Sequence, residues 1–488
     1  MLKTLKKSSG LIVLGIILAA AFYVRQYKID RPIADWHSWR QADTAAVARN
    51  FVKEGFNPFV PKFDDMSTTA SGRDNPNRYR YVEFPIYASV VYLFYSIFQS
   101  TDETIARQVN VGFALISIVF IYLLVKRFAG RLTALFSAFF YAFIPYNIFF
   151  TTTTLPDVSM VTFSLAALYL FPLWFDKLDQ TKSRILYGTF AAVALTAAIL
   201  SKPIAVFILI PITFVAYLKF GLSLKRAKIF ILFITLSLLP FLIWRYLISP
   251  MHPEGIPASG WLLNGDGIRF RPSFFRWMIA ERLGKEILSV VGFGLFLIGV
   301  FIKPEKIQHY FFHFYLVGIA LYVIVFATGN VRHDYYQIPL VPVLSIFMAI
   351  GVAYILKLYK NTLGQVISSM TVVFLIALTF FFGWYEVRYF FSINNGAIIE
   401  AGDWVDRNLP KDAKVIAPYN GDTAFLYKTN RYGWPVVDRG ISDLIQAGAT
   451  HFVSVNFGDP DLIKIRDQYQ VVHKTDIWIV LDLTKPLK

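Results

Sequence analysis

Runs of apolar residues long enough to cross a bilayer recur along the chain, near 11–24, 108–125, 132–150, 157–175, 186–201, 203–219, 229–248, 286–302, 310–328, 335–356 and 363–384. A helix rises about 1.5 Å per residue, so about 20 apolar residues bridge a hydrocarbon core of ~30 Å. Lipid offers no partner to a bare backbone, so such runs can only be helices. The expectation is an α-helical polytopic membrane protein of about 11 to 13 spans. Composition agrees: 16% of the 488 residues are charged, against about 25% in soluble domains. Ten Trp, 27 Tyr and 47 Phe suit interfacial belts and helix contacts. The absence of cysteine removes disulfides, thiolate metal sites and a cysteine nucleophile from consideration.

The net charge of +16 would suggest nucleic acid in a soluble chain; here it reads as topology, with no nucleic-acid partner. The start, "MLKTLKKSSGLIVLGIILAAAFYV", imitates a secretory signal and is read as a retained anchor. With a cytoplasmic N-terminus the inner connections are "KRFAGR", "DKLDQTKSR", "KFGLSLKRAK", "KPEK" and "KLYKN", all rich in Lys or Arg as short cytoplasmic loops should be. This holds only if "FPIYASVVYLFYSIFQ", 84–99, does not cross, and it is read as a re-entrant or interfacial helix.

The outer segments are then 25–107, 249–285 and all that follows about 385. In the first, "QADTAAVARNFVKEG" reads as a juxtamembrane helix stopped by Gly55. After 385, "AGDWVDRNLP" and "SDLIQAGA" read as helices, and "KVIAP", "HFVSV", "YQVVH" and "WIVLDL" as strands. Two domains follow: a transmembrane domain over 1–385, whose first external loop is 25–107, and a small extracytoplasmic α/β domain over 386–488. The membrane is expected to be the plasma membrane.

Charges near hydrocarbon are costly and usually have a partner or a task. On this topology the ionisable groups at span ends converge on the outer face: Asp35, His37, Arg40, Asp43, Glu83, Asp157, Lys202, Arg332, His333 and Asp334. Each has a plainer reading. Asp43 with Thr44, and Asp157 after Pro156, could cap helices; Lys202 could snorkel; His37 could be an interfacial residue between Trp36 and Trp39; His333 and Asp334 could be an exposed pair. Their common placement favours a shared role. A carboxylate can take a proton from an acceptor hydroxyl while Arg and Lys hold a phosphate leaving group. Two acids, Asp43 and Asp157, could also hold a divalent cation such as Mg or Mn. Phosphate-loop, HExxH and GxSxG motifs are absent, and "GFGLFLIG" looks like helix packing.

The ordered series "HSWRQADTAAVARNF", "VEFPIY", "LLVKRFAGRLTALFSAFFYAFIP", "LPDVSM", "SKPIAVFILIP" and "DYYQIPLVPVL" resembles the GT-C superfamily of polyprenyl-phosphate-sugar-dependent glycosyltransferases, in the branch of protein O-mannosyltransferases and lipid A aminoarabinose transferases. The likeness spans roughly residues 10–385. It implies a GT-C type fold and transfer of a hexosyl or pentosyl group, with inversion, from a polyprenyl-phosphate carrier to an extracytoplasmic lipid, glycan or protein hydroxyl in cell envelope glycosylation. It also implies a base in the first loop, where relatives carry an Asp-Glu pair that would fall near Arg40 and Gln41. Asp43 is the nearest acid and Asp35 the reserve; Asp157 matches the second acid. Glu83 lies in the substrate-facing turn, and Lys202, Arg332, His333, Asp334 and Tyr336, with His37, Arg40 and Gln41, are implied substrate contacts. A lipid-linked sugar flippase should instead show midplane polar groups and paired repeats, which the sequence lacks. A receptor or scaffold would leave the convergent acids and bases without a purpose.

Overall fold

The computed structural model describes residues 2–221, 223–359 and 361–487, with side chains described outside 2–9 and 224–226. Parts of "MLKTLKKSSG", "KFGLSLKRAK" and "KLYKN" therefore lie outside the described residues. The chain folds as two compact units: Met1–Ile29, Gln108–Ile243 and Ser259–Tyr389 form one, and Asp30–Arg107, Trp244–Ala258 and Phe390–Lys488 the other.

The first unit is helical. Among the described residues, eight helices are long and apolar enough to cross a membrane, or nine counting the bent pair Pro272–Ile287 and Val291–Phe301. One of the eight, Glu103–Phe143, is two helices joined at Gly130, whose φ of 82° and ψ of 176° are not helical. Together with the shorter apolar helix Gly10–Val24, these coincide with the runs read from the sequence. The protein is a multi-pass membrane protein.

Glycine permits a close helix approach in this unit. A Cβ at Gly299 would meet the Phe347 carbonyl oxygen at 1.9 Å, and one at Gly351 the Leu295 carbonyl oxygen at 2.3 Å. Helices Val291–Phe301 and Val341–Ile355 thus touch backbone to backbone, as small residues allow where no hydrophobic effect drives association. Gly294, in the same "GFGLFLIG" run, faces no atom within 4 Å and takes no part.

The second unit is α/β. Helix Ser38–Glu54 stops at Gly55, whose φ of 97° favours glycine. This helix is buried along nearly its whole length instead of lying against a surface. The segment 84–99 forms the helix Ile86–Phe98; at about 1.5 Å per residue it is ~20 Å long, short of a full span.

A five-stranded sheet is formed by β1 (Lys414–Ile416), β2 (Tyr432–Trp434), β3 (His451–Ser454), β4 (Tyr469–Lys474) and β5 (Ile479–Pro486), in the order β2-β1-β3-β5-β4. β1 runs parallel to β2 and β3, while β5 is antiparallel to β3 and β4. β2 is absent from the sequence reading, being three residues long with Gly433 at its centre. Only glycine fits there, because a Cβ would meet the Val415 carbonyl oxygen at 1.9 Å. Met66 packs into the core of this sheet beside Ile416, Trp434 and Phe452. Its backbone N–H donates to the Gly433 carbonyl at 2.7 Å, tying the 30–107 stretch to the C-terminal sheet.

Candidate active site

In the first unit the best-built polar site is prepared by "TTTTLPD". The Thr152 and Thr153 hydroxyls donate back to the Phe149 and Phe150 carbonyls at 2.8 and 2.7 Å, satisfying backbone acceptors where the preceding helix ends. The Asn110 amide donates to the Thr153 and Leu155 carbonyls at 2.7 and 2.8 Å, fixing the turn. Asp157 follows as the first residue of helix Asp157–Asp176, where the helix dipole favours an anion. It is not the cap; Pro156 is, and it supplies no side-chain bond.

Asp157 is fully buried. Lys202 donates to its Oδ1 at 2.7 Å. Its Oδ2 is buried and has no hydrogen-bond partner among the described residues. A bare buried carboxylate oxygen is costly, so it marks a place where a ligand donor is expected. Lys202 ends helix Thr181–Ser201 in extended backbone, as a residue before proline should. Its ammonium sits 4.9 Å from the Tyr336 ring centre and 5.3 Å from that of Tyr335. It is buried against these rings and does not snorkel.

Tyr336 belongs to the tight turn Asp334–Leu340. The Tyr146 hydroxyl donates to the Asp334 carbonyl at 2.6 Å and that of Tyr322 to the Tyr336 carbonyl at 2.9 Å, which hold the turn in place. His333 lies among aromatic rings, 5.8 Å from Trp261 and 6.0 Å from Tyr336. Asp334 is buried, 3.8 Å from Arg282, which also bonds Glu286 at 2.6 Å. The sequence names Arg282 only as one of the basic residues of 249–285, a loop that the resemblance would place over the lipid phosphate, and Glu286 only as the start of an apolar run. Arg332 is exposed and pairs with Asp266 at 2.7 Å.

The second unit holds the remaining predicted residues, and each acid there faces arginine. Asp35 is fully buried between Arg31 at 2.5 Å and the Gln41 amide at 2.7 Å, with Arg107 at 3.5 Å. Asp43 lies in the second turn of Ser38–Glu54, too deep to cap it. Arg80 binds its Oδ2 at 2.5 Å and the Thr423 hydroxyl donates to its Oδ1 at 2.7 Å. Arg40 pairs with Glu83 at 2.5 Å, leaving Glu83 Oε2 buried without a hydrogen-bond partner. His37 precedes the helix in left-handed backbone and makes no cap; its ring lies 5.3 Å from Trp36.

Burial pushes two further carboxyls of this unit upward. Asp65 is raised to about 7 despite the Ser67 amide it accepts from, and Asp422 to about 6 despite bonds from Ala424 and Ser38. Neither is legible in the sequence, since burial of an isolated Asp has no local signature.

Among the described residues no group of three His, Asp or Glu side chains is placed to hold a metal ion. Asp43 faces a guanidinium and Asp157 an ammonium, and a carboxylate already facing a cation is a poor seat for a second one. Asp43 and Asp157, paired as they are, do not fit a divalent cation.

A multi-pass helical unit carrying a buried acid–lysine pair and a unit built on a mixed sheet make up a membrane protein whose fold is shared with known structures. Residues 82–244 match the family model described as dolichyl-phosphate-mannose-protein mannosyltransferase. The whole chain shares its fold with ArnT from Cupriavidus metallidurans, at TM-score 0.68 and 14% identity in the apo state, covering 97% of this chain and 98% of that one. The same protein bound to undecaprenyl phosphate gives TM-score 0.68 and 13% identity over 96% and 97%. The Archaeoglobus fulgidus oligosaccharyltransferase AglB, in complex with an inhibitory peptide and a dolichol-phosphate, gives 0.59 and 12% over 96% of this chain and 73% of that one. No curated protein matches the sequence. The resemblance read from ordered motifs is thus met again in a family model and in the fold.

Proposed function

We propose that the protein is a membrane glycosyltransferase that moves a sugar from a polyprenyl-phosphate carrier to an acceptor hydroxyl outside the cytoplasm, with inversion. The observation that carries this reading is the Asp157–Lys202 pair: a buried carboxylate with one oxygen held by an ammonium at 2.7 Å and the other left bare. Support comes from the shared fold and from the ligands named with its relatives, undecaprenyl phosphate and dolichol-phosphate.

The chemistry is a single displacement. The acceptor oxygen attacks the anomeric carbon, the bond from that carbon to the phosphate oxygen breaks, and the polyprenyl phosphate leaves. The acceptor proton passes to a carboxylate. Asp157 Oδ2 is the oxygen best prepared to take it, and Lys202 is suited to the charge growing on the phosphate. Tyr336, His333, Asp334 and Arg332 complete the substrate contacts on this unit. Asp43 is the competing base, and it would first have to give up Arg80 or Thr423; Asp35 is in reserve. The second unit carries candidate substrate contacts of its own, Glu83 with its bare oxygen, Arg40, Gln41 and His37.

The N-terminus is assigned to the cytoplasm on its basic start and the five basic connections, and 386–488 to the outside as a domain that selects the acceptor, with 1–385 carrying the transferase. The test is to incubate purified protein with a radiolabelled panel of polyprenyl-phosphate sugars and candidate acceptors. Release of polyprenyl phosphate that requires acceptor and is lost in Asp157→Asn supports the reading. A folded wild type that consumes no donor would sink it.

A further inference from the structure

Positive loop charge is enough to orient a membrane protein, and it asks nothing of how the loops sit relative to one another. In this chain three of the five basic connections, "KRFAGR", "KPEK" and "KLYKN", gather around one cavity of about 570 Å³ in the first unit. The cavity has a built frame. The non-helical break at Gly130 turns one wall, and the backbone contact at Gly299 draws Val291–Phe301 against Val341–Ile355 to close another. His313 is held by its Nε2 to the Val300 carbonyl at 3.1 Å, while its Nδ1 is buried and has no hydrogen-bond partner.

The lining is strongly cationic. Lys126, Lys303, Lys306 and Lys357 contribute to it, and among the described residues none of the four has a carboxylate within salt-bridge distance. Arg127 is paired with Asp176 at 2.7 Å, and Glu305 is the one acid in the lining. Like charges around a shared space repel one another, and a bound anion relieves that repulsion. The rest of the lining is mixed: Phe128, Phe312 and Ile350 stand beside Thr133, Gln308 and His309, and Tyr354 at the edge is 47% exposed. A cationic cavity with greasy flanks at the end of spanning helices matches a phosphate headgroup whose acyl chains lie along the helices.

We propose that this cavity binds the phosphate headgroup of an anionic membrane lipid. Its assignment to the cytoplasmic leaflet rests on the orientation proposed above; the charge of the ligand does not, and neither depends on glycosyl transfer. The experiment titrates the purified full chain with phosphatidylglycerol or with phosphatidylcholine of the same acyl chains, reading bound lipid by native mass spectrometry. Wild type should hold one phosphatidylglycerol more tightly than phosphatidylcholine. Each lysine near a lipid phosphate is worth about 1 kcal/mol, so Lys303→Ala/Lys306→Ala/Lys357→Ala should weaken that binding about a hundred-fold. The control Lys177→Ala/Lys182→Ala, in another basic connection, should leave it unchanged. If the triple variant loses its helical circular dichroism, Lys303→Gln alone should still weaken binding about five-fold. Equal retention of the two lipids by wild type, or a folded triple variant that binds phosphatidylglycerol as wild type does, overturns the proposal. Displacement of the lipid by equimolar glycerol phosphate also overturns it, by making a free phosphate compound the ligand.

Discussion

Asp35 and Asp43 of the 30–107 stretch and the acid that opens helix Asp157–Asp176 are all buried and differently satisfied. Asp35 and Asp43 have both oxygens engaged, by Arg31 and Gln41 in one case and by Arg80 and Thr423 in the other. Among the described residues Asp157 has a single hydrogen-bond partner, Lys202, and one bare oxygen. A carboxylate saturated by guanidinium is a strut: taking its charge away strands an arginine in a low-dielectric interior. A carboxylate with a spare oxygen beside an ammonium can accept a proton without dismantling anything. The difference separates residues that shape a site from residues that can work in it.

The largest expected effect lies on the working side of this comparison. Asp157→Asn keeps the size but removes the basic oxygen, and kcat/KM should fall by about 10²- to 10⁴-fold, over and above the stability lost by leaving Lys202 uncompensated. Asp43→Asn should likewise cost stability, on the order of 3–5 kcal/mol by leaving Arg80 uncompensated, but with the smaller loss of transfer. Replacing both members of that pair, Asp43→Asn with Arg80→Met, should recover much of the loss in a double-mutant cycle. A stable Asp43→Asn protein that is more crippled in transfer than Asp157→Asn would break the comparison and hand the proton to Asp43.

A smaller effect tests burial alone. Asp65 has its carboxyl raised by burial from 3.8 to about 7, so in that interval the folded chain holds a proton that the unfolded chain has released. Stability from this group is therefore present at low pH and lost as pH rises from about 4 through about 7. Asp65→Asn keeps an acceptor for the Ser67 amide and removes the charge. It should flatten the pH dependence of unfolding and stabilise the protein at pH ~8 by on the order of 2–4 kcal/mol. A variant whose stability still falls across that interval would assign the slope to another group, with Asp422 the next to examine.

The helices were legible because their signal is local: apolar runs of fixed length, Gly55 as a stop, the proline that starts Asp157's helix, and the β-branched runs that became β1, β3, β4 and β5. The gathering of candidate residues was legible only by type. Which acid meets which base is decided by packing between distant segments, and Asp43 finds Arg80 37 residues away while Asp157 finds Lys202 45 residues away. No periodicity carries that information. The same reason hid Arg282 and Glu286, which look like loop charge and span end until the turn at Asp334 is folded against them. β2 was hidden differently, since three residues centred on glycine have too little pattern to stand out.

Arg332 gives the smallest and most discriminating effect. Unlike the buried arginines of the 30–107 stretch, its side chain is 62% exposed where it meets Asp266. Exposed ion pairs contribute about 0–1 kcal/mol, since water and salt screen them and two long side chains must be ordered. Arg332→Ala should therefore leave the thermal midpoint nearly unmoved, in contrast to Arg80→Ala. If Arg332 meets the donor phosphate, the same variant should raise KM for the lipid donor several-fold while kcat holds, and the loss should shrink as ionic strength rises. An unchanged KM would leave Arg332 to the surface pair alone and confine donor binding to Lys202 and its aromatic neighbours.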